Sequence, residues 1–169
     1  MNKFWQDVSD DVFQITHRIY LGGYLSSAKV DALLQRQINH VVNVGTMPNQ
    51  YGQDKFKITY MPIEDLKLLP LSYVKNFLRT FHHIHNSPDS KIYIHCLAGQ
   101  NRSPTLLWLY FISCGMPEES ARMAIEKNTL ETVPGHSNLV NDELLNQIRD
   151  FASVQEWQKQ IRLFNYGSR

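Results

Sequence analysis

The chain has 169 residues, 43% hydrophobic and 20% charged, enough for one globular domain with a substantial core of its own. A formal net charge of +1 at pH 7 leaves no excess of either sign, so neither a nucleic acid nor a membrane surface is expected as a stable partner. The longest apolar stretch, residues 106–114, is too short to span a bilayer, and the acidic start with Asp7, Asp10 and Asp11 is unlike a signal peptide.

Residues 1–11 read as an acidic arm that Phe4 and Trp5 could anchor. Residues 12–21 alternate and are rich in β-formers, so an edge strand or hairpin ends at Gly22-Gly23. Ser26 or Ser27 can cap a helix through about Gln37, with Val30, Leu33 and Leu34 on one face. Residues 40–45 form a short buried strand, and Pro48, Asn49 and Gly52 mark the loop after it. The next strand, 56–63, delivers Glu64 and Asp65 into a loop. An amphipathic helix over 71–86 turns Val74, Phe77, Leu78 and Phe81 inward. His82 and His85 share a face near its carboxyl end, where the helix dipole favours histidine, and no second cluster completes a metal site with them and His83. Beyond the stretch 91–110, Gly115 closes one helix and Pro117 opens another through about Lys127. A loop with Pro134-Gly135 then leads to a final helix over 140–164, with Leu144, Leu145, Ile148, Phe151 and Trp157 spaced for burial. Strands alternating with helices imply an α/β fold, a central mainly parallel sheet flanked by helices, with its active loop at the carboxyl end of a strand.

Residues 91–110 organise the rest. A short apolar strand runs into a tight loop holding Cys96, Gly99 and Arg102, and an apolar helix follows. Unpaired N–H groups at a helix start, with successive loop amides, describe an anion site. Five residues separate Cys96 from Arg102, so the loop can curl around one phosphate with the sulfur at its base. The Arg102 fork can then hold two phosphate oxygens. A helix N-terminus and a guanidinium both favour the thiolate, the nucleophilic form. Ser103 can donate to that thiolate, and the His95 imidazole can brace the loop backbone. Cys114 lies 18 residues beyond Cys96, at the far end of the helix, and is read as a core residue rather than a resolving partner. Two cysteines used this way fit a reducing, cytoplasmic compartment.

His95-Cys96, five residues, Arg102-Ser103 resembles the signature of the cysteine-dependent protein tyrosine phosphatases, and Arg102-Ser103-Pro104-Thr105-Leu106 resembles their dual-specificity branch. Residues 13–151 are similar in order to such a domain, through 19–22, 41–44, Asp65, the signature and 121–127, so 1–169 is read as a single domain. The resemblance implies a phosphomonoester hydrolase working through a phosphocysteine, with no cofactor or metal; the chain is read as a monomer. Cys96 would attack; Arg102 with Leu97, Ala98, Gly99, Gln100 and Asn101 would hold the phosphate; Ser103 would ease departure of the thiolate. Departure of the substrate oxygen needs a proton donor. Asp65 fits, just past a strand expected to neighbour the central one, and the family's acid falls about where Asp65 stands, 31 residues before Cys96. Alternation alone leaves Glu64 as the rival. The uncharged residues 97–101 favour a phosphoprotein over a phosphoinositide, which would call for loop lysines. The polar pair Gln100-Asn101 departs from the small residues of protein-directed relatives and keeps inositol phosphates, nucleotides and RNA 5′-phosphates open. A catalytically inactive phosphate-binding module is the remaining alternative; it predicts a missing cysteine or acid, and both are present.

Overall fold

The computed structural model describes residues 11–157. The proposed arm with Phe4 and Trp5, and the expected helix beyond 157, lie outside the described residues. Among the described residues five strands and five helices follow one another as β1 (Val12–Gln14), β2 (Ile19–Gly22), α1 (Ser27–Gln35), β3 (His40–Asn43), β4 (Lys57–Tyr60), α2 (Leu71–Asn86), β5 (Ile92–His95), α3 (Arg102–Ser113), α4 (Glu118–Glu126) and α5 (Asp142–Gln155). The sheet order is β1-β2-β5-β3-β4. The three pairings from β2 to β4 are parallel, and β1 closes one edge as an antiparallel hairpin with β2, registered Val12 opposite Gly22.

Strand β5 is central and buried along its whole length, and its alternation decides which layer each residue feeds. Ile92 and Ile94 point into the larger core, which α2, α3, α4 and α5 cover. Tyr93 points into a smaller cluster with Tyr20, Leu33, Val41 and Phe56 on the α1 side. On α1 the expected apolar face is rotated: Leu33 and the lysine Lys29 are buried, while Leu34 is exposed. Lys29 is accommodated because its Nζ donates to the Tyr24 carbonyl at 3.3 Å and to the Tyr93 hydroxyl at 3.2 Å.

Strand β4 does not neighbour the central strand, contrary to the sequence expectation; it is the far edge, and β3 lies between it and β5. The residues explain the order. Val41 and Val42 of β3 are fully sequestered, whereas Lys57 and Tyr60 of β4 face solvent, as suits an edge. The chain beyond β4 compensates by crossing back over the carboxyl end of β3. The Met61 amide donates to the Asn43 carbonyl at 2.9 Å and the Ile63 amide to the Val44 carbonyl at 3.1 Å. That crossing carries Asp65 to the loop after β5, where Asn101 Nδ2 meets its carboxylate.

Helix α5 also stops sooner than its apolar spacing suggests. Glu156 takes a left-handed conformation (φ 58°), ending the helix at Gln155. Trp157 turns back to stack on His82, with ring centroids 4.3 Å apart, and meets Phe151 edge-on. His82 and His85 are therefore not dipole-favoured surface residues. Both are buried against the Tyr110 hydroxyl of α3, at 3.2 and 2.9 Å, and Asn86 Nδ2 donates to His82 Nε2. Burial disfavours their protonation and holds His85 down at about 4.

Candidate active site

Cys96 leaves β5 at its carboxyl end and α3 begins at Arg102, so the loop between them is short and closely backed. Gly99 has φ 74°, and a Cβ there would stand 2.6 Å from the backbone of Gly22. A Cβ on Gly23 would be 2.8 Å from the Leu97 carbonyl, which instead accepts from the Tyr24 amide at 2.7 Å. On the other side the Gln100 carbonyl accepts from the Val133 amide at 2.8 Å. The carbonyls of Cys96, Leu97 and Gln100 are thus committed to groups around the loop. In a trans peptide the N–H points opposite the carbonyl, which turns the amides of Leu97, Ala98 and Asn101 toward the loop interior. Such a ring of amides suits an oxyanion.

The base of the loop rests on a polar chain that starts in β3. The Gly45 amide donates to Asn43 Oδ1, Asn43 Nδ2 to Asn49 Oδ1, and Asn49 Nδ2 to His95 Nε2, each at 2.9–3.0 Å. His95 Nδ1 then donates to the Cys96 carbonyl at 2.9 Å. One ring nitrogen accepts and the other donates, so His95 is neutral, and burial accordingly pushes it down to about 4. Sequence reasoning singled out His95 but missed Asn43 and Asn49. An asparagine inside a Val-Val-Asn-Val strand was the available signal, since a buried amide demands partners.

His85 and His95 make folding acid-sensitive. Both have folded pKa values below the ordinary histidine value, so the unfolded chain binds protons first as pH falls. Their stabilising effect is complete above about pH 6.5 and is lost progressively toward pH 4. At pH 5 the loss is about 2 kcal/mol for each histidine. The Tm measured at pH 5 should accordingly lie roughly 10 °C below that at pH 7.5. Equal Tm values at the two pH values would show that these rings do not stay neutral in the fold.

Cys96 is 3% exposed, and its Sγ accepts from Ser103 Oγ at 3.2 Å. Arg102 Nη1 donates to the Ile63 carbonyl at 3.0 Å. Its Nε has no hydrogen-bond partner although it is buried, the one such side-chain nitrogen or oxygen among the described residues. The nearest carboxylate oxygen to it is Asp65 Oδ2 at 4.0 Å. A buried guanidinium N–H without an acceptor is costly unless an anion completes it. Asp65 accepts from the Leu66 amide through Oδ1 at 2.9 Å and from Asn101 Nδ2 through Oδ2 at 3.4 Å. Glu64 faces the other way: its side chain is 66% exposed and paired with Lys67, which holds its carboxyl below the usual range. The fold therefore brings Asp65, and not Glu64, to the loop that carries Cys96 and Arg102.

A buried thiol and a buried guanidinium carried by one strand–loop–helix turn, with a carboxylate beside the guanidinium, define a cysteine phosphatase scaffold. Residues 19–153 match the family model described as "Dual specificity phosphatase, catalytic domain", and the chain belongs to that family. It is 28% identical over 99 residues to human dual specificity protein phosphatase 15, covering 56% of this chain and 32% of that one. The rat counterpart is 29% identical over 97 residues, covering 56% and 40%. The chain thus spans well under half the length of these curated relatives. A crystal structure of DUSP15 superposes with a TM-score of 0.68 at 20% identity, covering 95% of this chain and all of that one. PTPMT1 in complex with PI(5)P gives a TM-score of 0.69 at 18% identity, covering 86% and 99%. Both share the fold.

Proposed function

We propose that this protein hydrolyses phosphomonoesters on phosphorylated proteins through a phosphocysteine intermediate. The observation that carries the reading is the unpartnered Nε of buried Arg102, set in the same short loop as a thiol that Ser103 already engages. Cys96 Sγ forms a bond to phosphorus as the phosphorus–oxygen ester bond breaks, and Asp65 gives its proton to the departing oxygen. Arg102 and the inward amides hold the remaining oxygens where negative charge concentrates. In the second half, water attacks phosphorus, Asp65 takes its proton, and Cys96 leaves as a thiolate stabilised by the Ser103 hydroxyl. The chain needs no metal for any of these steps. An inactive phosphate-binding module would need no thiol, guanidinium and carboxylate converging in this way.

Two features support a protein substrate. Leu97 to Asn101 are uncharged, and the nearby Lys67 is paired with Glu64. Leu66 and Leu68 on the Asp65 loop, and Leu130 and Val133 on the loop that touches Gln100, are exposed around the site. An apolar rim with one buried cation suits the chain around a phosphotyrosine better than a polyanionic headgroup. Phosphate release from phosphopeptides, inositol phosphates and nucleotides, measured side by side, tests this. Faster turnover of an inositol phosphate would move the reading toward the lipid ligand seen in PTPMT1.

The proton donor is tested separately. Asp65→Asn should lower kcat on a phosphotyrosine peptide by about 10²–10⁴-fold. The loss should be smaller on an activated aryl phosphate, whose phenolate departs with little help. Glu64→Gln should change either rate little. The opposite pattern, with Glu64 critical and Asp65 silent, would displace the acid by one residue.

A further inference from the structure

We propose that Asn101 is the positioning residue for the proton donor, a role that rests on the reading of Asp65 given above. Asn101 occupies the N-cap of α3, and asparagine is among the best side chains for closing that position. The other polar caps behave as expected: Ser26 accepts from the Lys29 amide and Asn141 from the Leu144 amide. Asn101 makes no side-chain cap. Its amide turns instead to the Asp65 loop, donating from Nδ2 to Asp65 Oδ2 at 3.4 Å. The stabilising cap is forgone, which also leaves the first amides of α3 unclaimed by that side chain.

The arrangement fixes the carboxyl group from two sides. Oδ1 is held by the Leu66 amide, where the backbone takes the left-handed conformation (φ 57°), and Oδ2 is held by Asn101. Arg102 Nε stands 4.0 Å from the same Oδ2, beyond hydrogen-bond reach, and a bound phosphate would take that donor where it stands. Asn101 is then the side-chain donor that stays with Asp65. Because Asn101 is part of the phosphate loop, its contact sets the height of the acid above the sulfur of Cys96. Asp65 arrives from the edge strand β4 through a crossing loop, so it has no neighbouring strand of its own to register it against β5.

A double-mutant cycle tests the assignment. Asn101→Leu, close to asparagine in shape but without the donor, should lower kcat on a phosphotyrosine peptide about 10-fold with KM changed less than about twofold. The loss should fall to about threefold on an activated aryl phosphate. In an Asp65→Asn background Asn101→Leu should cost nothing further, because the group it positions is no longer an acid. Asn101→Ala, run beside it with Tm measured for both, guards against a local collapse specific to one side chain. Equal losses on the two substrates, or full additivity in the double variant, would overturn the proposal and leave Asn101 a loop-shaping residue. If Asp65→Asn were itself silent on the peptide, the proton-donor reading would fail and the positioning role with it. A large Asp65 effect with an unaffected Asn101→Leu rate would sink the positioning role alone.

Discussion

Cys96→Ser is expected to abolish turnover while leaving the phosphate site intact. The serine keeps the place at the floor of the loop and can still accept from Ser103 Oγ, which lies 3.2 Å from the present sulfur. It cannot supply the nucleophile, because a hydroxyl is far less ionised than a thiol at neutral pH. Loss of a nucleophile of this kind costs on the order of 10⁵–10⁶-fold in kcat. Oxyanion binding, by contrast, depends on Arg102 and the inward amides, which the substitution does not touch. The two halves are measured separately: turnover of p-nitrophenyl phosphate, and protection of the folded chain against heat by inorganic phosphate. Phosphate should raise the Tm of the serine variant as it does that of the wild type. A serine variant retaining more than about one hundredth of the wild-type rate would remove Cys96 from the covalent step.

What could be read from the residues alone was local. Strand, loop and helix of the phosphate site are consecutive in the chain, so the spacing of Cys96, Gly99 and Arg102 already specified their arrangement. Contacts that close over long separations were not legible. Periodicity placed His82 and His85 on one face of α2, but only the fold shows that Tyr110 of α3 and Trp157 beyond α5 cover it. The dipole argument failed there because burial outweighs a favourable helix end for a charged imidazole. Alternation could not separate Asp65 from Glu64 either; the crossing of residues 61–63 over β3 decides which carboxylate turns inward. The end of α5 carried no glycine or proline to announce it, and Glu156 adopts the left-handed conformation without one. Lys29 inverted the usual expectation for lysine, since the Tyr93 hydroxyl and the Tyr24 carbonyl wait for it beneath β2 and β5.

Arg102→Lys should be nearly as damaging as Arg102→Ala, and that near-equality is the informative result. If Arg102 supplied only positive charge, lysine would restore most of the activity. The geometry argues otherwise. Nη1 is anchored on the Ile63 carbonyl at 3.0 Å, which fixes the plane of the guanidinium, and Nε is buried with no partner. A bound phosphate can therefore meet a rigid fork whose orientation is set before it arrives. A lysine ammonium could satisfy the Ile63 carbonyl or the phosphate, but it has no second, planar donor to serve both in fixed directions. Its stem would also leave part of the guanidinium volume unfilled in a site where Arg102 is 6% exposed. Both substitutions should lower kcat by about 10³–10⁵-fold, the range seen when an arginine that stabilises a phosphoryl transition state is lost. The comparison is made on p-nitrophenyl phosphate, where leaving-group protonation matters least, so that the measured loss belongs to the phosphoryl oxygens rather than to Asp65. A lysine variant within about tenfold of wild type would reduce Arg102 to a point charge. The unpartnered Nε would then need another explanation.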